Sequence, residues 1–304
     1  MKSVSKAIIK TIIYSEIFGS SPNKLELFVK LHSQKLISKS EFDKSLEKLL
    51  VQKRIKTNNN RYNIHSHSNL FKSCKLASII NQKNQLISQN IDLISSTPFI
   101  RAVFLTGSLA CRHPKPDDDI DLMIVTSKNR LWISRFLLLL KTHKIRRRPN
   151  STVVNNKFCF NIFTEEDNLN FSPENIFIAN EIIHSFPVYD SDNIYQNYLK
   201  ANLWVVKYLA NSLTVKKNQS IINNFHPKIK FNRALNKQTK KKSVSVNLIF
   251  NLINYLLYLL QFLFMLPKTS NETIKLNLAL FHPKKTDSTI ISEYKTRLKS
   301  HNLI

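Results

Sequence analysis

The sequence predicts an α+β fold, in which a small mixed sheet is flanked by a helical N-terminal segment and a helical C-terminal region. Apolar residues recur at helical spacing near both ends of the chain. The middle holds short, strongly apolar segments bounded by glycine and proline, a pattern typical of strands. The chain has 304 residues, which is enough for two or three domains. We place their boundaries at residues 1–66, 67–190 and 191–304.

The first 66 residues are predicted to form three helices and a hairpin. Helical spacing covers Lys6–Phe18, Leu25–Leu31 and Ser40–Val51, with Ser40 as the expected N-cap of the third helix. Two short extended segments then flank Asn58–Asn60, and asparagine tolerates the positive φ that a hairpin turn requires. Three helices followed by a hairpin is the element order of a winged helix.

A winged helix raises the question of DNA binding. Its candidate recognition helix, Ser40–Val51, carries the acids Glu41, Asp43 and Glu47. Because affinity for DNA comes mainly from neutralising phosphates, these acids favour a structural or partner-binding role for the segment. Nucleic acid nevertheless stays a candidate partner, since lysine and arginine outnumber the acids by 46 to 20. AT-rich codon usage explains that excess equally well, because the chain is also rich in asparagine and isoleucine and has only 2 glycines.

The rest of the chain is predicted from the same patterns. A polar helical stretch precedes Pro98, and a basic linker covers Lys216–Lys242. The three cysteines are scattered without metal-binding spacing, which argues against a zinc site or a disulfide framework and indicates the cytoplasm. The predicted strands are Arg101–Thr106, Asp119–Thr126 and Val153–Phe163, and the predicted helices that follow them are Asn129–Thr142 and Asn175–His184.

One segment, Val246–Leu266, is long, apolar and free of charge, with lysines on both sides. Its length permits a membrane span. Four polar residues interrupt it, namely Asn247, Asn251, Asn254 and Gln261, and the first three share one helical face. This patterning favours an amphipathic helix buried in the protein, so a membrane is not an expected partner. A span that hides its polar face in an oligomer is the alternative.

The residues that carry chemistry lie between Val103 and Val125. An apolar strand ends at Gly107-Ser108, where a helix begins, and a second apolar strand carries Asp119 and Asp121. Gly107 allows backbone to approach a phosphate, and Ser108 offers a hydroxyl and an N–H at a helix N-terminus, where an anion is favoured. The two aspartates are two residues apart on a strand, so their carboxylates point to the same face. Such a pair is suited to divalent cations that promote in-line phosphoryl displacement.

The pattern apolar-Gly-Ser, followed after a loop by Asp-apolar-Asp-apolar, resembles the signature of the DNA polymerase beta-like nucleotidyltransferase superfamily. More distantly, the chain is similar to poorly characterised bacterial proteins in which a winged-helix-like segment precedes the nucleotidyltransferase domain and a helical region follows it. The resemblance implies two-metal-ion transfer of a nucleoside monophosphate from an NTP to a hydroxyl acceptor that the sequence does not name. Gly107 and Ser108 would then bind the nucleotide, and Asp119 and Asp121 would hold Mg²⁺ or Mn²⁺.

The superfamily usually has a third carboxylate on a neighbouring strand, and the corresponding segment Lys157–Phe163 has no acid. Asn161 is the tentative third position, since its carbonyl is a metal ligand but not a base. We interpret Glu165–Asp167 as an exposed loop or helix start. The missing carboxylate leaves a non-catalytic nucleic-acid- or partner-binding protein on the same fold as the alternative.

Other charged groups near the motif have simpler interpretations. Asp117 and Asp118 are expected to be solvated loop residues. Glu181 and His184 are spaced to share a metal, but such a pair is more often a solvated helix surface. The basic tip Lys144–Arg148 is suited to a polyanionic acceptor, or is simply a solvated helix end.

Overall fold

A computed structural model describes residues 2–64, 70–148, 152, 154–212, 232–233, 244–266, 272–281 and 285–304. These residues form a mixed sheet with helices packed against it, and a second, smaller core among the N-terminal helices. The predicted α+β class is confirmed. Apart from residues 232–233, nearly all of the predicted linker Lys216–Lys242 lies outside the described residues.

The N-terminal segment has the predicted element order. It consists of α1 (Lys2–Ile17), α2 (Lys24–Val29), α3 (Lys39–Val51), β1 (Lys56–Asn58) and β2 (Arg61–Asn63). The hairpin turn is made by Asn59 and Asn60, whose φ values are 50° and 59°. Positive φ at both central residues matches the twist of the two flanking strands, which is why asparagine occupies both positions.

The N-cap of α3 is Ser38, so the prediction of Ser40 is wrong by one half-turn. The Ser38 hydroxyl accepts from the Glu41 N–H at 3.2 Å, and the Glu41 carboxylate accepts from the Ser38 N–H at 3.1 Å. This reciprocal pair satisfies two N–H groups that the helix itself leaves without acceptors. Glu41 therefore has a structural task at the helix start.

The main sheet has the strand order β7-β6-β3-β4-β5-β9-β8. The β4/β5 and β6/β7 pairs are parallel, and the other neighbours are antiparallel. Strand β6 is absent from the sequence prediction because Pro187 interrupts its short apolar pattern. The strands are β3 (Ile100–Leu105), β4 (Ile120–Thr126), β5 (Phe158–Glu165), β6 (Phe186–Asp190), β7 (Asn232–Arg233), β8 (Thr273–Lys275) and β9 (Leu278–Leu280).

The described elements of the C-terminal third contact the sheet and three earlier helices. The hairpin β8–β9 extends the sheet beyond β5. Helix α9 (Val244–Met265) packs on α6 (Leu131–Lys141), and α10 (Lys285–Ser300) packs on α1 and on α7 (Ile176–His184). The predicted helical region 191–304 therefore contains strands as well as helices and forms no layer of its own, while the proposed domain boundaries stay predictions. The remaining helices are α4 (Leu70–Ser95), α5 (Gly107–Ala110) and α8 (Ile194–Ala201).

Helix α9 packs with its polar side inward. The Asn254 carbonyl accepts from the backbone N–H groups of Trp132 and Ile133, at 3.0 and 3.2 Å. These N–H groups belong to the first turn of α6, which receives no hydrogen bond from its own N-cap side chain. Arg130 donates to Asn251 at 2.6 Å in the same contact.

The expectation that this segment is a buried helix is wrong. Only 6% of the window Asn247–Met265 is buried, although the window is long and apolar enough to cross a membrane. Asn254 of the polar stripe is buried, and eleven large apolar side chains of the segment are exposed. Leu257, Tyr258 and Met265 are half-buried and pack against the main core.

Candidate metal and nucleotide site

Asp119 and Asp121 are positioned by two antiparallel strands of the sheet. Asp121 lies in β4, where its carbonyl accepts from the Thr106 N–H at 3.0 Å, and Asp119 lies just before that strand. Atoms of the two carboxylates and the Cys159 sulfur all lie within 4.8 Å of one another. Both carboxylates therefore lie on one side of the strand, as their spacing predicts, and these three residues form a possible metal-binding group.

Gly107 lies directly against the Asp121 carboxylate. Its φ is +66°, and a Cβ added to it would lie 2.2 Å from Asp121 Oδ2. Any side chain at this position would displace the carboxylate. A glycine is therefore required at position 107 by the Asp121 carboxylate itself, in addition to the predicted approach of a phosphate.

Ser108 and Asp118 organise the loop between α5 and β4. The Ser108 hydroxyl donates to Asp118 Oδ2 at 2.7 Å, and the Lys115 N–H donates to the same oxygen at 2.9 Å. The prediction of a solvated Asp118 is therefore wrong. The Ser108 hydroxyl, predicted to be a nucleotide contact, is therefore occupied by Asp118 in this structure.

Lys83 on α4 is hydrogen-bonded to this loop, a role that the sequence does not predict. Its side chain is fully buried and donates to the Asp118 carbonyl at 2.5 Å and to Asn156 Oδ1 at 3.1 Å. Burial lowers the pKa of Lys83, and the carboxylates of the loop oppose that shift. A single lysine in a polar helix has no pattern that distinguishes it from a solvated one.

Asn161 reaches the candidate site through an irregularity in β5. Pairing with β4 shifts register between Phe160 and Ile162, and Asn161 lies in that shift. Its amide Nδ2 donates to Asp121 Oδ1 at 2.6 Å. Bulges of this kind re-aim a side chain and are frequent beside functional sites. The tentative third position is thus in contact with one of the two aspartates.

The three acids at the end of β5 and just after it have their partners elsewhere. Glu165 is buried, and its carboxylate accepts from the Arg130 N–H at 3.2 Å. Glu166 pairs with Arg101 at 3.0 Å, and Asp167 pairs with a lysine on the surface. The interpretation as an exposed loop is therefore wrong for Glu165, which completes the N-terminus of α6 together with Asn254.

Arg147 is a charged group that the sequence analysis placed only in the basic tip. Its Nη1 lies 2.8 Å from Asp119 Oδ2, and its side chain is 48% exposed against 15% for Asp119. The contact raises the pKa of Arg147 and neutralises one of the two carboxylates. A half-exposed arginine on a loop can turn from the carboxylate towards an incoming phosphate at little cost.

The charges around Asp121 are unfavourable in the absence of a cation. Burial raises the pKa of Asp121 to about 8, and the neighbouring carboxylates of Asp119 and Glu181 contribute to the rise. Burial likewise raises the pKa of Glu181 to about 7. Glu181, on α7, is half-buried and not a fully solvated surface residue, and His184 bonds the Asn180 carbonyl. A divalent cation would relieve this repulsion.

The N-terminal segment contacts the loop that follows α5. Ser20 and His113 are hydrogen-bonded side chain to side chain, and the His113 N–H donates to the Ser108 carbonyl at 2.9 Å. Lys30, at the end of α2, interacts electrostatically with Cys111 and Arg112 beyond α5. Burial lowers the pKa of Lys30 and brings that of His113 down to about 4. Lys30 and His113 are half-buried, and they lie where the N-terminal segment meets the loop after α5.

The donor set fits Mg²⁺ or Mn²⁺ better than a soft metal. Carboxylate oxygens from Asp119 and Asp121 are the ligands that these hard cations prefer. Burial and the two aspartates raise the pKa of the Cys159 thiol in the metal-free protein, and a thiol sulfur is a ligand that suits softer metals. The two aspartates are therefore the candidate ligands for a hard cation, with Cys159 beside them.

Comparison of the chain with protein-family models and with curated proteins finds no match. The resemblance to the polymerase beta-like superfamily consequently depends on the residues of this chain alone.

Proposed function

We propose that the protein is a nucleotidyltransferase that moves a nucleoside monophosphate from an NTP to a hydroxyl acceptor. The observation that carries the proposal is the convergence of Asp119 and Asp121 beside Gly107, at a strand end where a short helix begins. A pair of carboxylates beside the start of a helix suits a metal-bound triphosphate. The nucleotidyltransferase arrangement within the α+β fold is part of this proposal.

Each residue has a distinct task in the proposed reaction. Asp119 and Asp121 would hold Mg²⁺ or Mn²⁺, which would supply charge neutralisation and lower the pKa of an attacking hydroxyl. The backbone of the loop at Gly107 and Ser108 would bind the phosphates. Arg147, which pairs with Asp119 in the structure, would turn to a phosphate oxygen of the bound nucleotide.

Asn161 decides how far the two-metal mechanism applies. Its Nδ2 donates to Asp121 in the structure, and a turn of the amide by half a revolution would present the carbonyl oxygen as a third ligand. An amide brings no negative charge and accepts no proton. A site with two carboxylates is thus expected to hold its second metal weakly and to depend on the nucleotide phosphates for it.

The test measures metal-dependent transfer of label from an NTP. Wild type is incubated with each α-labelled NTP, Mn²⁺ or Mg²⁺ and cell extract, beside Asp119→Asn, Asp121→Asn and the matched control Asp117→Asn. Asp117 is an exposed acid of the same loop. We expect the two site variants to lose transfer by more than about 100-fold and the control to stay within about twofold. Equal transfer by wild type and both site variants would refute the proposal.

A non-catalytic nucleotide-binding or nucleic-acid-binding role is the second candidate, and Asn161 in place of a carboxylate favours it. It predicts Mn²⁺-dependent NTP binding in calorimetry that Asp121→Asn abolishes, with no transfer of label by wild type. Cytoplasmic placement is part of our proposal, and the free thiols of Cys111 and Cys159 fit it.

A further inference from the structure

Helix α9 (Val244–Met265) presents an almost wholly apolar side to the outside of the protein. Its polar stripe is used internally, by the bonds of Asn251 and Asn254 to α6 and by Gln261, whose amide donates to the Trp132 carbonyl at 3.0 Å. Eleven large apolar side chains are 37–69% exposed: Leu248, Ile249, Leu252, Ile253, Tyr255, Leu256, Leu259, Leu260, Leu263, Phe264 and Leu266.

These eleven side chains, which we call the outward face, cover half of the helix circumference. Successive residues of an α-helix are about 100° apart, so the exposed positions span an arc of about 180°, centred opposite the Asn247–Asn254 stripe. A second helix covers only the narrower stripe of a two-helix seam. An apolar arc of this width, without a charge between Asn247 and Met265, has the chemistry of a surface immersed in hydrocarbon.

The lysines that flank α9 in the sequence also favour a lipid surface as the partner. From Ala234 to Asn271 the sequence has no aspartate or glutamate and five lysines: Lys237, Lys240, Lys241, Lys242 and Lys268. Lysines at both ends of an apolar helix match the phosphates of anionic lipids, and each contributes favourably when it lies near the headgroups. An apolar protein partner would gain nothing from such flanks.

The hydrogen bonds between α9 and α6 determine how α9 can be oriented relative to a bilayer. The bonds from Asn251, Asn254 and Gln261 attach about three turns of α9 to α6, which is itself packed on the sheet. A helix that crossed the bilayer would have to leave α6 and bury these amides without partners. We propose that α9 lies in the plane of an anionic lipid bilayer, with its outward face among the acyl chains and the folded protein on the membrane surface.

The full chain can be tested by flotation with vesicles of phosphatidylcholine, with and without phosphatidylglycerol. We expect the wild type to float with the anionic vesicles and much less with the neutral ones. Leu256→Ser/Leu260→Ser/Leu263→Ser, at the centre of the outward face, is expected to weaken partitioning by roughly 100-fold, because three leucines leave the acyl region. The matched control, Leu36→Ser/Val51→Ser/Leu203→Ser, changes equally exposed residues outside α9 and is expected to bind like the wild type.

Depth is measured separately with Tyr255→Trp, which places a fluorophore on the outward face. Quenching by lipids brominated on their acyl chains supports the proposal, and unquenched fluorescence of the introduced tryptophan in vesicle-bound protein overturns it.

Equal flotation of the wild type and the α9 triple variant also overturns the proposal. Failure of the wild type to bind anionic vesicles overturns it as well. If sedimentation velocity shows a dimer that the triple variant dissociates and that binds no vesicles, the outward face belongs to a second copy of the chain. None of these measurements involves Asp119 or Asp121, so their outcome is independent of the proposed transferase activity.

Discussion

Replacing Gly107 with alanine tests whether the Asp121 carboxylate is held in place by the absence of a side chain. At Gly107 φ is +66°, and an added Cβ would lie 2.2 Å from Asp121 Oδ2 and 2.9 Å from Asp121 Cγ. Gly19 is a matched control within the same chain, since its φ is +67° and nothing lies within 4 Å of an added Cβ. Both variants carry the same backbone strain, and only Gly107→Ala forces Asp121 to move.

The difference between the two variants can be estimated. A non-glycine residue in the left-handed region costs about 1–2 kcal/mol, which applies to both positions. Moving Asp121 also breaks its 2.6 Å contact with the Asn161 amide, a bond worth about 1 kcal/mol to a neutral acid and up to about 3 kcal/mol to a carboxylate. The free energy of unfolding should therefore fall by about 1–2 kcal/mol in Gly19→Ala and by about 2–5 kcal/mol in Gly107→Ala.

Urea titration of both variants measures the free energy of unfolding, and titration with Mn²⁺ followed by electron paramagnetic resonance measures metal affinity. Gly107→Ala should bind Mn²⁺ at least about tenfold more weakly, which corresponds to 1.4 kcal/mol of lost binding, while Gly19→Ala should match the wild type. If the two variants lose equal stability and both bind Mn²⁺ as the wild type does, the reasoning about Asp121 is refuted.

Ser38→Ala should lower the free energy of unfolding by about 1 kcal/mol by removing the N-cap of α3, while Ser40→Ala should change it by less than about 0.5 kcal/mol in the same urea titration. Asn254→Leu should cost about 2–4 kcal/mol although it makes α9 more apolar, because two N–H groups of α6 lose their acceptor; a neutral or stabilising result in thermal unfolding would contradict this role. Arg147→Gln should strengthen Mn²⁺ binding and weaken NTP binding in calorimetry, and a shift of both affinities in one direction would disagree with the exchange we propose. Burial raises the pKa of Glu181 from 4.5 to about 7, so the folded state binds this proton more tightly than the unfolded state. The stability of the metal-free protein should then fall as pH rises through that interval, and Glu181→Gln should flatten the slope of stability against pH.

Local sequence patterns predicted most of the elements correctly. Short apolar runs place β3 and β4 to within a residue, and two asparagines form the predicted β1–β2 turn. The pair Asp119 and Asp121 is predictable for the same reason, since a spacing of two on a strand determines the side of the sheet. These features depend only on neighbours in the chain.

The groups that complete the site are harder to predict because they come from distant parts of the chain. Lys83 lies 35 residues before Asp118, and Arg147 lies 28 residues after Asp119. Glu165 looks like a surface acid until the start of α6 is placed beside it. The role of each of these residues depends on a hydrogen-bond or ion-pair partner in a distant element, and no local spacing in the sequence carries that information.

Helix α9 shows the same principle on a larger scale. Periodicity establishes that Asn247, Asn251 and Asn254 share a face, but not which face meets the protein. The rule that apolar faces turn inward fails here because the first turn of α6 supplies N–H groups that need acceptors, and amides on α9 provide them. Burying an amide without such a partner would be costly, whereas burying it against two N–H groups is not. The outward face is then the consequence of satisfying α6, and it requires a different apolar medium to cover it.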